Sequence, residues 1–408
     1  MIVSLLTIGN ELLKGATINT NASWIGKNLF KVGAQLNKQI TVKDNHSAII
    51  SALNYLFENK PDLVIITGGL GPTADDITRE TLFEYFGANA ILDEFYWKEL
   101  SDYFEKKLKK PISENNRSQA LVPDIGEIVP NPVGSARGFK FKKDNTTFFS
   151  LPGVPLEMKE MITSSIIPWI NDHNPIVLKQ IKIRTSGKPE SAIATIIEPI
   201  LNEYEHYEYG FFPSAYGVDI IVTGIDEGTL NEIDQKITFA IPELIFTKSD
   251  QNIENVIVKL LAKNNRTLST AESCTGGLIG HRITQVSGSS SVYHGGIISY
   301  SNEVKEKQLK VKHDTLMSHG AVSEETAKEM ASGVRLALSA DIGLSITGIA
   351  GPTGGTPDKP VGLVYIGYSD KEITFGKKLL FGKNRSLNKI RSSQAALNLL
   401  YKELMKDI

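Results

Sequence analysis

The chain is short of several things at once. It carries one cysteine, Cys274, in 408 residues. Neither an intrachain disulfide nor a cysteine-cluster zinc site can therefore form. It has almost no net charge, since 44 Lys and Arg oppose 46 Asp and Glu for a balance of −2. That balance removes the electrostatic signature of a dedicated nucleic-acid binder. No apolar run approaches the roughly 20 residues that span a bilayer. The start, Met1 to Glu11, lacks the basic region of a secretion signal and meets an acid early. The expectation is a cytoplasmic protein that contacts neither membrane nor nucleic acid. The rest of the composition, 41% hydrophobic and 22% charged, is that of an ordinary folded protein and excludes wholesale disorder. The length allows two to four domains.

Apolar patterning divides the chain into three parts. In the first, Ile2–Ile8 reads as a strand, residues 21–32 and 46–58 as amphipathic helices, and residues 62–67 (DLVIIT) as a short buried strand ending in glycines. That β-α-β order predicts a doubly wound α/β domain over 1–172, closed by a polar linker at Asn171–Pro175. A small α+β module of order β-α-β-α-β is expected over 176–250. Residues 252–408 read as a second α/β unit, with strands at 267–270, 296–300, 342–347 and 361–368 and a long final helix from about Ser386 to Met405. The fold class is thus α/β, with two three-layer domains joined by a smaller module.

The strand at 62–67 empties into Gly68-Gly69-Leu70-Gly71-Pro72-Thr73-Ala74-Asp75-Asp76. Glycines at such a turn let backbone N–H groups approach a phosphate, and the next helix adds the positive end of its dipole. Asp75 and Asp76 have a plain alternative as helix caps. Two adjacent acids exceed what capping needs, and a divalent cation bridging them to a pyrophosphate accounts for glycines and acids together. Gly9-Asn10-Glu11 follows the first strand, and Asn21 stands where an N-cap is expected. Asn131–Gly138 and Leu151–Met158 are two further Gly/Pro turns.

In the last part, Glu272, Ser273, Cys274 and Thr275 fall at a strand-to-helix turn closed by Gly276-Gly277. A nucleophile there is held exposed while neighbouring amides face a developing oxyanion; the plain alternative makes Ser273 an N-cap. A serine needs a base, and no histidine stands in these motifs. Lys305, in Ser299-Tyr300-Ser301-Asn302-Glu303-Val304-Lys305, serves if burial strips its ammonium of solvent, with Tyr300 relaying the proton or orienting it. The alternative is a solvated lysine in a basic run. Thr347-Gly348-Ile349-Ala350-Gly351-Pro352-Thr353 repeats the arrangement of the first glycine loop, TGIAGPT against TGGLGPT, and offers a phosphate or oxyanion seat. Arg385, before the final helix, suits a phosphate fork. Cys274 is a rival nucleophile.

These motifs resemble those of the CinA family. IGNEL (8–12), TGGLGPTADDITRE (67–80), NPVGSARGF (131–139) and LPGVPLEM (151–158) are similar to its molybdopterin-binding-like domain. The resemblance implies a MogA/MoaB-like fold and metal-dependent hydrolysis of ADP-ribose to AMP and ribose 5-phosphate. Its nucleotide contacts would fall on Gly9, Glu11, Asn21, Gly68, Gly69, Gly71, Pro72, Thr73, Ser135 and Gly153, with a divalent metal ion on Asp75 and Asp76. Arg137 stands where proline or a small residue is expected. AESCTGG (271–277), YSNEVK (300–305), TGIAGPTGG (347–355) and GKNR (382–385) resemble the family's carboxyl-terminal domain. That resemblance implies deamidation of nicotinamide mononucleotide to nicotinate mononucleotide and ammonia, without a cofactor. Ser273, Lys305 and Tyr300 would be catalytic, and Glu272, Cys274, Thr275, Gly276, Thr347, Gly348, Ala350, Gly351 and Arg385 would contact substrate. The middle part resembles the family's KH-type module, but Ser186-Gly187-Lys188-Pro189 lacks the second glycine of an RNA-clamping loop. It reads as a spacer or dimerisation module, and a homodimer is what the resemblance implies. Two rival readings are a non-catalytic nucleotide-binding regulator and a partner in DNA uptake or repair.

Overall fold

The computed structural model describes residues 1–109, 111–174 and 178–406. By its internal contacts the chain separates into two compact units, Met1–Lys179 and Gln180–Ile408. Pro175, Ile176 and Val177, which hold the end of the expected linker and the start of the middle part, lie outside the described residues.

The first unit runs β1 (Ile2–Ile8), α1 (Asn10–Leu13), α2 (Thr20–Lys31), β2 (Gln35–Val42), α3 (His46–Glu58), β3 (Leu63–Thr67) and α4 (Thr78–Phe86). It continues through β4 (Ala90–Leu92), α5 (Glu94–Tyr103), β5 (Leu121–Pro123), β6 (Glu127–Val129), β7 (Gly138–Lys143), β8 (Thr146–Leu151), α6 (Pro155–Met161) and α7 (Ile167–His173). Its main sheet has the order β2-β1-β3-β8-β7-β6. The first four strands are parallel, and β7 and β6 are added antiparallel. Side chains alternate faces along a strand. Val3, Leu5, Leu63 and Ile65 accordingly join the core beneath α2 and α6, while Leu6, Ile8, Val64 and Ile66 join the core beneath α3 and α4. Asn171–His173 is the last turn of α7, not linker, because Ile170 is buried and keeps that helix packed. The amino end of α2 is also shifted. Asn19, not Asn21, is its N-cap and accepts from the Ala22 amide.

The second unit holds two sheets. The smaller is built from β9 (Lys179–Thr185), α8 (Glu190–Leu201), β10 (Glu208–Ser214), β11 (Gly217–Gly224), α9 (Glu227–Ala240) and β12 (Ile245–Thr247), with strand order β10-β11-β9-β12. The module is therefore β-α-β-β-α-β, one strand more than its pattern predicts. The extra strand, β10, is an edge strand of mixed aromatics with Pro213 inside it, so it shows no inward-outward alternation. The larger part runs α10 (Ile253–Lys263), β13 (Leu268–Glu272), α11 (Leu278–Thr284), β14 (Tyr293–Ile298), α12 (Asn302–Leu309), α13 (His313–His319), α14 (Glu324–Ala337), β15 (Ile342–Gly348), β16 (Leu363–Ser369), β17 (Thr374–Leu380) and α15 (Arg385–Met405). Its sheet, β14-β13-β15-β16-β17, is parallel through the first three strands and antiparallel through the last two. Helices α10, α11 and α15 cover one face and α12, α13 and α14 the other. The β14 strand ends at Ile298, so Ser299 and Tyr300 belong to the turn before α12, whose N-cap is Ser301.

Candidate active site

In the carboxyl-terminal part, β13 delivers Ser273 to the first position after the strand. The turn is closed by the preceding residue. Glu272 is buried, and its carboxylate accepts the Thr275 hydroxyl at 2.7 Å and the amides of Gly277, Ile279 and Gly280 at 2.9–3.1 Å. It thereby satisfies the orphan donors at the start of α11 and places a negative charge against the positive end of that helix. Glu272 and the fully buried Thr275 are thus engaged within the turn, and neither lines the cavity beside Ser273. Ser273 is no N-cap either, because Gly277 occupies that position.

The Ser273 hydroxyl faces Lys305. Helix α12 carries this lysine inward, 1% exposed, with Nζ 3.2 Å from Ser273 Oγ. The same nitrogen donates to the main-chain oxygens of Ser299 at 2.7 Å and Tyr300 at 3.4 Å. Burial pushes its pKa down to about 8, because a charged ammonium loses hydration there that two carbonyls do not replace in full. A neutral amine has two N–H groups and one lone pair. With the N–H groups on the two carbonyls, the lone pair is left for the Ser273 proton. Tyr300 orients Lys305 through its carbonyl; its side chain is exposed, and Arg385 Nη2 donates to its phenol oxygen at 3.4 Å. Cys274 is 7% exposed and packs in the core, and burial pushes its thiol up to about 12.

Around this pair lies a cavity of about 200 Å³ lined by Ser273, Cys274, Tyr300, Lys305, Thr347, Gly348, Ala350 and Arg385, with Ala321 and Val322. The Thr347 hydroxyl donates to Ala321 O at 2.7 Å and holds that wall. Arg385 donates to Gly351 O at 2.9 Å, so Gly351 anchors the arginine from behind. Gly276 does not line the cavity, and its amide is engaged by Ser273 O.

In the amino-terminal unit, the carboxyl ends of β1, β3 and β8 converge on a second cavity, of about 510 Å³. It brings together Gly9, Glu11, Gly68, Gly69, Gly71, Pro72, Asp75, Asp76, Ser135 and Gly153. Gly68 has φ +106°, and a Cβ there would lie 2.1 Å from Ile8 O, so only glycine fits. Thr73 lines a neighbouring hollow, and Asn21 turns its amide onto Gly153 O at 2.8 Å. Asp75 and Asp76 do not cap α4; both accept hydrogen bonds from Thr73. Arg137 points away from the cavity into a buried site, paired with Asp93 at 2.7 Å and stacked on Tyr96. Asp44 and Glu157 add two more acids to the lining. Burial, with Glu11 and Asp75 nearby, holds the Asp44 carboxyl above its usual range against the lowering effect of the Asn10 amide. The donors are hard oxygens of the kind a divalent cation takes. Yet among the described residues no three Asp, Glu, His or Cys side chains converge to hold a metal ion. The carboxylates as placed do not form a three-ligand set.

Residues 250–404 match the family described as CinA C-terminal domain, and residues 4–172 match the family described as probable molybdopterin binding domain. A CinA-like protein of Kosmotoga olearia is 38% identical over 411 residues, covering 99% of each chain. The chain belongs to the CinA family. Another CinA-like protein, from Flavobacterium psychrophilum, is 38% identical over 417 residues, covering 100% of this chain and 99% of that one. Among solved structures, the competence/damage inducible protein CihA of Agrobacterium tumefaciens is 35% identical. It covers 38% of this chain and 93% of that one, with a TM-score of 0.37. No helix among the described residues is long and apolar enough to cross a membrane.

Several residues of this CinA-family site were not singled out by sequence. The Ser299 carbonyl is main chain and leaves no trace in side-chain identity. Ala321 and Val322 come from a loop with no motif. Asn388, whose amide holds Ala350 O and Gly382 O at 2.9 and 2.8 Å, had a usable signal in its place three residues after Arg385 on one helix. Asp44 had one in following a strand at the same end of the sheet as Glu11.

Proposed function

We propose that the carboxyl-terminal domain is an amidohydrolase that deamidates nicotinamide mononucleotide to nicotinate mononucleotide and ammonia. The observation that supports this most directly is the buried Lys305 amine 3.2 Å from Ser273 Oγ. Ser273 attacks the carboxamide carbon as Lys305 takes the hydroxyl proton, a positioned base of a kind worth about 10²–10⁴ in rate. The C–N bond then breaks and Lys305 returns that proton to the leaving NH₂ group, which departs as ammonia. Water, deprotonated in turn by Lys305, opens the seryl ester; the proton goes back to Ser273 and the carboxylate is released. For the oxyanion, the amides of Gly276 and Ile349 are already engaged by Ser273 O and Leu363 O. The amides of Cys274, next to the nucleophile, and Ala350, on the facing wall, are the donors assigned, each worth about 10²–10³. A buried thiol held protonated at neutral pH favours Ser273 over Cys274 as nucleophile. Ammonia release from nicotinamide mononucleotide by the full chain tests the reading, with Ser273→Ala and Lys305→Ala as controls. Wild-type protein releasing none, or Ser273→Ala releasing as much, would sink it.

A second reading applies to the amino-terminal cavity, as a metal-dependent ADP-ribose pyrophosphatase. The glycine turn at the end of β3 and the five acids around it favour this over a purely structural loop. Because the carboxylates do not form a three-ligand set, no step is assigned to them. AMP release from ADP-ribose, with and without added Mg²⁺ or Mn²⁺, tests it; no release under either condition removes it. Turnover at either site separates an enzyme from a nucleotide-binding regulator. Its relatives' competence name suggests a DNA-associated role, which the −2 balance does not favour.

A further inference from the structure

Resting on the deamidase reading, we infer that Lys389, with Arg385, forms a phosphomonoester seat at the mouth of the carboxyl-terminal cavity and makes the site select nucleotides over nucleosides. The cavity itself is small. Pockets that enclose most of a drug-sized ligand run to roughly 300–1,000 Å³, against about 200 Å³ here. A ring bearing the carboxamide fits beside Ser273, and the remainder of a nucleotide has to lie across the mouth. The cavity lining carries the exposed Arg385 guanidinium and no carboxylate.

Lys389 extends that field. It stands one helical turn after Arg385 on α15, and residues so spaced share a face. Asn388 fixes the rotation of the helix by holding Ala350 O and Gly382 O from its buried face. The Lys389 ammonium then lies over the nucleophile turn, 3.8 Å from where a Cβ on Gly276 would be. Its charge acts on Cys274, a lining residue, alongside that of Lys305. Lys389 has no carboxylate partner among the described residues, and Arg385 binds only Gly351 O and the Tyr300 phenol. Two basic side chains of different geometry, without acids between them, suit a dianionic phosphate: Arg385 as a planar fork and Lys389 as a point charge.

The test compares nicotinamide mononucleotide with nicotinamide riboside, which lacks the phosphate, in the full-length protein and its Lys389→Met and Lys389→Arg variants. Lys389→Met is expected to lower the ratio of kcat/KM for nucleotide over nucleoside about tenfold, with the loss in KM, and Lys389→Arg to recover most of it. An equal loss on both substrates, which a merely structural role would produce, overturns the inference, as does an unchanged ratio. A binding arm is independent of turnover: ribose 5-phosphate is titrated into wild-type and Lys389→Met protein by calorimetry. Weaker binding to the variant upholds the seat, and no binding or equal binding removes it. If nicotinamide mononucleotide is not turned over, the deamidase reading falls and this arm alone decides the phosphate seat.

Discussion

The two cavities share a loop pattern and oppose each other in charge. TGGLGPT follows β3 and TGIAGPT follows β15, each at the end of a central strand. The first leads into a cavity lined by Glu11, Asp44, Asp75, Asp76 and Glu157 with no basic residue, the second into one lined by Lys305 and Arg385 with no acid. Even the backbones differ. In the first loop the left-handed positions are Gly68 and Gly69; in the second, Gly348 continues the strand and the left-handed position falls later, at Gly351. A glycine string therefore specifies room for a close approach but not what approaches. An acidic cavity repels a bare phosphate and needs a cation between, whereas a basic one meets the anion directly.

The sharpest way to break the contrast is to remove each centre and assay both reactions. Ser273→Ala is expected to lower deamidation by at least ~10³-fold and to leave AMP release from ADP-ribose as in wild type. A shared loss would mean that the two cavities are not separate sites. Lys305→Met should lower deamidation by about 10²–10⁴-fold. In wild type, kcat/KM should climb with pH and level off above about 8, because the deprotonated amine is the active form. The same lysine gives a stability signature. Its folded pKa, about 8, lies below the ~10.4 of an unfolded chain. The unfolded state therefore binds more protons between those values, and Lys305 makes stability rise with pH across that window. Chemical denaturation of wild type and Lys305→Met at pH 7 and 10 should show that slope only in the wild type.

Smaller effects sharpen the picture. Glu272→Ala leaves four donors of the nucleophile turn without their acceptor, and a loss of about 1–3 kcal/mol in denaturation is expected, with deamidation reduced through a displaced Ser273. Cys274→Ala should keep deamidation within a few-fold of wild type; a collapse there with Ser273→Ala active would reverse the assignment of nucleophile. EDTA should leave ammonia release unchanged and suppress AMP release, in line with the opposite charge of the two linings.

Much of this was legible in order along the chain. The parallel strands β1, β3 and β15 are short, mostly apolar runs buried on both faces, and such runs announce themselves. Edge elements did not. The β10 strand and the antiparallel β17 face solvent in part, so their residues follow no strict alternation and their pairing depends on a neighbour distant in sequence. At the site, Ser273 and Lys305 were readable as chemistry, since a serine at a strand-to-helix turn without a histidine calls for another base. The capping role of Glu272 was not, because a carboxylate reads the same whether it holds a turn or a substrate.

Sequence by itself determined the residue types: a serine at a strand-to-helix turn and a lysine in the next strand-to-helix segment, glycines after central strands, paired acids in one domain and a basic helix start in the other. Tertiary structure alone decided their states. Whether Lys305 is a solvated cation or a base depends on how much water the fold removes from it, and whether Cys274 is a nucleophile or a packed core residue depends on the same thing. Desolvation is set by every element packed around a group, and no local stretch of sequence contains that information.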